Sequence, residues 1–167
     1  DACGNTTQGV QTITVRDTTA PSLRMPVDLV LECPGDTRTN VTGVPIALDG
    51  CGSVTLTYSD VVSNSCGLTR TVWRLWTATD QCMHTASCLQ IISIVDMVPP
   101  SIVCPPNQSV NTDAGLCTAT VDLGTPVMAD NCAVASVVSN APAVFPLGPT
   151  VVTWTVTDGS GNIATCE

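Results

Sequence analysis

Residues 80–100 read DQCMHTASCLQIISIVDMVPP, and residues 1–21 carry a second version of the same pattern, DACGNTTQGVQTITVRDTTAP. A third version begins at residue 158 with DGSGNIATCE. Each version starts with a turn at an Asp, and the two longer versions continue through a strand rich in β-branched residues to an Asp–Pro linker. A period of about 80 residues is longer than the ~20–50 residues of a solenoid unit and fits a small β-sandwich. The sequence therefore predicts a tandem array of small β domains.

The repeat sets the predicted domain boundaries. Residues 1–20 are predicted to be the last strand of a preceding repeat, Val10–Val15, with its linker. Residues 21–97 are predicted to form one β-sandwich, called here the first repeat, and residues 98–167 a second β-sandwich, the second repeat, whose final strand is incomplete. Each linker ends in proline, which restricts the backbone and predicts a stiff end-to-end relation between repeats.

Short strands bounded by turn residues are typical of an all-β sandwich, and no segment has the pattern of an amphipathic helix. The strands predicted inside the two repeats are Val27–Leu31, Val44–Leu48, Val54–Tyr58, Thr71–Thr79, Leu89–Val95, Ile102–Val103, Ser109–Asn111, Cys117–Leu123, Val134–Ser139 and Val151–Thr157. The long segments Ser59–Leu68 and Asn140–Pro149 are predicted to be loops.

The cysteine content indicates the cellular compartment, and the charge limits the classes of partner. Ten cysteines in 17.2 kDa predict disulfides, and therefore an extracellular or cell-surface protein. The net charge of -9, with no lysine, argues against nucleic-acid binding because cations to neutralise phosphates are lacking. The longest apolar run, Leu89–Val95, is too short to insert into a membrane.

The ends of the chain fall inside repeats, at Asp1 and Glu167. Two interpretations follow. The chain is a segment of a longer covalent array, or it is a protomer whose strand Val10–Val15 completes the open sheet of a neighbouring copy. The predicted partners are therefore adjacent repeats of the same polypeptide or neighbouring copies of the chain.

Several motifs in the second repeat resemble the hyalin repeat (HYR) family. They are Cys104-Pro-Pro-Asn107, Asp130-Asn-Cys132, Phe145-Pro-Leu-Gly148 and Thr155-Val-Thr-Asp158-Gly-Ser-Gly-Asn162 with Cys166. The first repeat is similar but has Met25 where the second has Cys104. The resemblance implies tandem immunoglobulin-like or fibronectin-III-like β-sandwiches that act as extracellular adhesion or scaffold modules, without catalysis.

Cysteine order alone does not fix the disulfide connectivity. By position within the HYR-like repeat we expect Cys104–Cys132 and Cys117–Cys166, and by analogy Cys33–Cys88 with an additional Cys66–Cys82 bond in the first repeat. This scheme leaves Cys3 and Cys51, which are expected to be free, bonded to each other, or bonded to a neighbouring copy.

The sequence contains no dense run of metal ligands, and no cofactor is expected. Asp17 and Asp96 precede the two proline linkers. Together with turn acids such as Asp49, Asp60 or Asp130 they are weak candidates for an interdomain Ca²⁺ site, with a purely turn-capping role as the alternative. The single histidine, His84, occupies the turn position that Asn5 and Asn162 hold in the other versions, so it is interpreted as a turn residue. No set of catalytic residues is predicted.

Surface features complete the sequence-based hypothesis. Asn5, Asn40 and Asn107 lie in N-x-S/T sequons and are predicted acceptors of N-linked glycans. Trp76 and Trp154 are predicted to lie in the core. Strand alternation places Trp73 and Leu75 on the opposite face, as a contact surface or beneath a loop or glycan.

The most consistent function is a structural or adhesive segment of a long extracellular repeat glycoprotein, used as a rigid scaffold or filament building block. The alternative is a ligand- or carbohydrate-binding ectodomain module of a surface receptor or adhesin. An enzyme is the third class, and no residue pattern favours it.

Overall fold

The structure, a computed structural model, describes residues 2–167 and consists of β-strands with a single turn of helix. The first repeat contains β1 (Ser22–Arg24), β2 (Leu29–Glu32), α1 (Thr39–Thr42), β3 (Ile46–Leu48), β4 (Thr55–Asn64), β5 (Arg70–Thr79) and β6 (Thr85–Val95). The second contains β7 (Ser101–Val103), β8 (Thr118–Ala119), β9 (Val127–Ala129), β10 (Val134–Ser139), β11 (Phe145–Pro146), β12 (Trp154–Asp158) and β13 (Ile163–Cys166). No helix among residues 2–167 is long and apolar enough to cross a bilayer.

The strands of each repeat pair only within that repeat in the described part of the chain. In the first, β2, β6, β5 and β4 form one sheet in that order, with β2 parallel to β6, while β1 pairs with β3. In the second, β10, β12 and β13 form a sheet, and β7–β9 and β8–β11 form two small ladders. The pairs β1–β3 and β7–β9 correspond, since Ser22 faces Leu48 and Ser101 faces Ala129. The all-β prediction is confirmed.

The long strand β5 organises the core of the first repeat. Its residues alternate between faces, so Val72, Trp76 and Ala78 are buried together. On the neighbouring strand β6, Ile92 and Ile94 are also buried and pack with Val72. The β-branched pattern that predicted these strands therefore also builds the core between the sheets.

A buried arginine on the same face was missed by the sequence analysis. Arg74 is 2% exposed and forms a bidentate ion pair with Asp60 at 2.8 Å. Its guanidinium also donates to Thr42 Oγ1 and to the carbonyl of Thr37, both at 2.8 Å. The ring of Tyr58 lies 4.5 Å from the guanidinium carbon. This network ties β4 and β5 to the segment around α1.

The described residues of the second repeat reach only as far as the positions that correspond to the first part of β6. Strand β2 pairs only with the last part of β6, where Leu29 faces Ile92 and Glu32 faces Val95. Strand β13 ends at Cys166, the position that corresponds to Cys88 in β6. An open groove of about 770 Å³ lies in that region of the second repeat. Its lining includes Val110, Ala119, Phe145, Val152 and Trp154.

Several predicted strands differ in the structure. Ser109–Asn111 is not a strand and pairs with no other strand among the described residues. Val10–Val15 has no strand assignment either, since a strand needs a hydrogen-bonded neighbour. Cys117–Leu123 keeps only Thr118–Ala119. The predicted loop Ser59–Leu68 is wrong over its first half, because β4 continues to Asn64 beside β5.

Candidate functional site

The turn after β12 is organised by a buried aspartate. Asp158 Oδ1 accepts hydrogen bonds from the backbone N–H groups of Ser160 and Asn162, each at 2.8 Å, and its Oδ2 accepts one from Asn162 Nδ2 at 2.7 Å. Burial raises the pKa of Asp158, but these bonds outweigh it and lower the pKa overall. The turn is therefore held in one shape by an ionised carboxylate.

The turn after β5 repeats this geometry. Asp80 Oδ1 accepts from the N–H groups of Cys82 and His84 at 2.8 Å, and Asp80 Oδ2 lies 3.0 Å from His84 Nδ1. Burial again raises the pKa of Asp80, and the bonds from His84 and Cys82 lower it overall. His84 thus occupies the place of Asn162 and holds the turn, in agreement with its interpretation as a turn residue.

The Asp158 turn contacts the first repeat. Asn162 Nδ2 donates to the backbone carbonyl of Asp96 at 3.3 Å. A Cβ atom added to Gly159 would lie 3.3 Å from Cβ of Cys66, so only glycine allows this approach without displacing the neighbour. The turn between β12 and β13 therefore packs against the end of the first repeat.

A second contact joins the repeats covalently. Cys33, directly after β2, is disulfide-bonded to Cys132, in the turn after β9, with their Cα atoms 5.6 Å apart. Beside it, Asn131 Nδ2 donates to the carbonyl of Cys33 at 2.8 Å and to Glu32 Oε1 at 3.1 Å. We call this contact, together with the Asp158 turn and the linker at Asp96, the junction.

Three carboxylates meet at the junction. One side-chain oxygen from each of Asp96, Asp130 and Asp158 lies within 4.8 Å of the other two, and this set is called the junction cluster. Asp96 is 8% exposed and Asp158 2% exposed. Burial raises the pKa of Asp96, and the carboxylates of Asp130, Asp158 and Glu32 raise it further.

An equivalent cluster lies one repeat earlier. Asp17, Asp80 and His84 bring ligand atoms within 4.8 Å of one another, and this set is called the upstream cluster. Asp17 corresponds to Asp96, and Asp80 to Asp158, in the repeated sequence. The two weak Ca²⁺ candidates from the sequence, Asp17 and Asp96, thus occupy the same place in two successive clusters.

Comparison with known proteins places part of the chain in a family. The HYR domain family model matches residues 95–167. Residues 95–167 belong to the HYR domain family. Most of the chain aligns with a rat protein named Sushi, von Willebrand factor type A, EGF and pentraxin domain-containing protein 1, at 33% identity over 169 residues. The mouse protein of the same name aligns at 32% identity over 170 residues. Each alignment covers 95% of this chain and 5% of the relative's length.

The HYR assignment confirms the resemblance seen in the sequence. Together with the disulfides it establishes an extracellular or cell-surface repeat module. The family model begins at Val95, immediately before the linker, so the residues of the junction cluster all fall within the HYR match. Cys33 and Glu32, in contrast, meet the HYR domain from the preceding repeat.

The expected cysteine pairing of the first repeat is wrong. Cys33 lies beside Val95 at the end of β6, whereas Cys88 lies roughly 23 Å further along that strand, beyond the ~7 Å limit between Cα atoms. Cys66 and Cys82 occupy turns at opposite ends of β5, roughly 30 Å apart. None of Cys66, Cys82 and Cys88 carries a disulfide in the structure.

The pairing expected in the HYR domain is also wrong. Cys104 is bonded to Cys166 because it follows β7, which contacts β13. Cys132 is instead bonded to Cys33 of the first repeat, and Cys117 is exposed and carries no disulfide. Cys132 is not available to Cys104 because it bonds across to the first repeat. Cys3 and Cys51 are both exposed.

The remaining sequence-predicted positions lie on the surface or in the core as follows. Asn5, Asn40 and Asn107 are exposed, so glycosylation at each remains a prediction. Trp76 is buried as expected, while Trp154 is only half-buried because it lines the open groove. Trp73 is half-buried and Leu75 is 44% exposed on the outer face of β5, where a contact surface remains a prediction.

Proposed function

We propose that this chain is a structural segment of a long extracellular repeat glycoprotein, in which successive HYR-type repeats are held end to end as a rigid scaffold or filament. The observation that carries the proposal is the junction. Two repeats that share no sheet are linked by the Cys33–Cys132 disulfide as well as by the backbone. Asn131 and Asn162 add hydrogen bonds on either side of that link.

The duplication of the junction supports extension of the array. Two of the three positions of the junction cluster recur in the upstream cluster, as Asp17 and Asp80, and Asp80 and Asp158 form their turns with the same hydrogen bonds. A contact surface that recurs at the sequence period generates a row in which each repeat meets the next in the same way. No catalytic step is needed for this role.

Cys51 supports the same arrangement. Cys51 lies in the same kind of turn as Cys132. In each turn the cysteine N–H donates to Oδ1 of the Asp two residues earlier, at 2.7 Å. Cys132 uses this turn to reach the preceding repeat. We therefore propose that Cys51 bonds to a cysteine of an adjoining repeat or of a neighbouring copy, in the place that Cys33 takes at the junction.

The open groove of the second repeat also supports contact with a neighbouring repeat. By the repeated sequence, Gln11, Ile13 and Val15 correspond to Gln90, Ile92 and Ile94 of β6. In β6 these side chains are buried, whereas Ile13 is 78% and Val15 91% exposed. A strand of this pattern, supplied by the next part of the polypeptide or by a neighbouring copy, would complete the open sheet by strand addition.

The test is the geometry of the joined repeats in solution. Small-angle scattering and negative-stain electron microscopy of the oxidised chain should give one fixed distance between the centres of the two repeats. A broad distribution of distances would contradict the scaffold. Binding of the dispersed protein on a glycan array, without a fixed inter-repeat geometry, would favour the ligand-binding alternative.

A further inference from the structure

The junction cluster contains oxygen atoms that the protein itself does not satisfy. Asp96 is more than nine-tenths buried, and its Oδ2 accepts no hydrogen bond in the structure. Asp130 Oδ2 likewise accepts no hydrogen bond, while Asp130 Oδ1 already accepts hydrogen bonds from the N–H groups of Cys132 and Ala133. Buried carboxylate oxygens without a partner are costly, because water has been removed and nothing replaces it.

The cluster also takes part in no ion pair among residues 2–167. The ion pairs in the structure join Arg38 to Asp36, Arg74 to Asp60 and His84 to Asp80, and none involves the junction cluster. Glu32 lies close enough to add to the repulsion felt by Asp96. Like charges gathered in a buried site indicate a missing positive partner.

The donor set selects a hard divalent cation. The cluster offers only oxygen ligands, and the neighbouring sulfur atoms of Cys33 and Cys132 are consumed in their disulfide. Two oxygens that bind one Ca²⁺ at ~2.4 Å lie at most ~4.8 Å apart, and the three oxygens of the cluster lie within that distance of one another. Asp158 can bind through Oδ2, which accepts one hydrogen bond and keeps a second lone pair, while Oδ1 keeps both of its turn bonds.

We propose that Asp96, Asp130 and Asp158 form a Ca²⁺ site that links the two repeats at their junction. Asp96 comes from the linker, and the other two ligands come from separate turns of the HYR domain. Bound Ca²⁺ therefore fixes the linker against the second repeat, next to the turn in which Cys132 bonds to Cys33. The site is a property of the joined repeats and stands whether or not they serve as a scaffold.

The upstream cluster provides an internal comparison. There, His84 Nδ1 already holds Asp80 Oδ2 at 3.0 Å, and only two carboxylates are present. Asp17 Oδ2 also accepts no hydrogen bond, but Asp17 is less buried than Asp96. The upstream cluster should bind Ca²⁺ more weakly, so a substitution at Asp17 is the matched control for one at Asp96.

The experiment uses the oxidised full chain, stripped with EDTA, and titrates CaCl₂ by isothermal calorimetry at neutral pH. One Ca²⁺ is expected to bind the wild type at a Kd of about 10⁻⁵–10⁻³ M. Asp130→Asn keeps the acceptor of the turn and should weaken binding at least ~10-fold, as should Asp96→Asn, while Asp17→Asn should change it less than ~3-fold. Near-UV circular dichroism in EDTA verifies that the variants fold.

A melting experiment gives an independent readout. Ca²⁺ at millimolar concentration should raise the melting temperature of the wild type and of Asp17→Asn. It should leave the melting temperature of Asp130→Asn unchanged. The proposal is overturned by absence of saturable binding to the wild type. It is equally overturned if Asp130→Asn binds as tightly as the wild type, or if Asp17→Asn loses as much affinity as Asp96→Asn.

Discussion

Replacing Cys33 and Cys132 together by serine should uncouple the two repeats without unfolding either one. The bond closes a loop with a sequence separation of 99. In the chain-entropy description its removal costs about 4.7 kcal/mol of unfolding free energy at room temperature, as an upper figure. Cys104→Ser with Cys166→Ser is the matched control, because its separation of 62 gives about 4.3 kcal/mol by the same relation.

The two double variants should therefore lose similar stability but differ in what they release. Guanidinium unfolding can be followed separately for each repeat, since Trp73 and Trp76 lie in the first and Trp154 in the second. We expect the Cys33/Cys132 variant to show two separated transitions and a broadened inter-repeat distance by small-angle scattering. The Cys104/Cys166 variant should destabilise the second repeat selectively and leave the inter-repeat distance unchanged.

Two results would refute this reasoning. One is an unchanged inter-repeat distance in the Cys33/Cys132 variant, which would mean that the hydrogen bonds at the junction suffice. The other is loss of all native structure in that variant, which would mean that the bond stabilises a single core rather than a contact between repeats.

Three further predictions concern the core, acid stability and the groove. Arg74→Met should cost roughly 2–4 kcal/mol in urea unfolding, because it leaves Asp60 without its partner, whereas the exposed Arg24→Met should be neutral. The pKa of Asp80 is lower in the folded state, so the stability it contributes is present above the ordinary aspartate pKa and is lost as the pH falls below that value. Asp80→Asn should therefore flatten the acid side of the pH–stability curve. An unaltered curve would argue against the turn bonds. A peptide of residues 8–17 should shift the fluorescence of Trp154 to the blue by filling the groove, and the same peptide carrying Ile13→Asp should have no effect.

The strands that the sequence predicts best are those with strong alternation and a partner close in the chain. Thr71–Thr79 matches β5 almost residue for residue, and Val134–Ser139 matches β10. The short strands β1 and β9 escaped notice, because three residues give too little periodicity to recognise. Ser109–Asn111 failed for a different reason, since its strand identity depends on a partner rather than on its own residues.

The candidate site was only partly predictable. Repetition of Asp17 and Asp96 before proline linkers pointed to the junction, and the role of His84 followed from the aligned turns. Asp130 was one of several turn acids that the sequence offered as a partner of Asp96. The contribution of Asp158 and the Cys33–Cys132 bond did not follow, because both depend on how one repeat is placed against the next. The buried Arg74 had no sequence signal other than its position between buried residues of a strand, where an arginine is unusual.

The Cys33–Cys132 bond also sets how the chain responds to pulling from its ends. Tension would pass through the bond and bypass the intervening polypeptide, which at ~3.5 Å per residue over a separation of 99 amounts to roughly 350 Å of hidden length. An oxidised strand under load would thus yield by a short distance and then stop. Reduction would release the hidden length, so the redox state of the surroundings would determine whether the material is stiff or extensible.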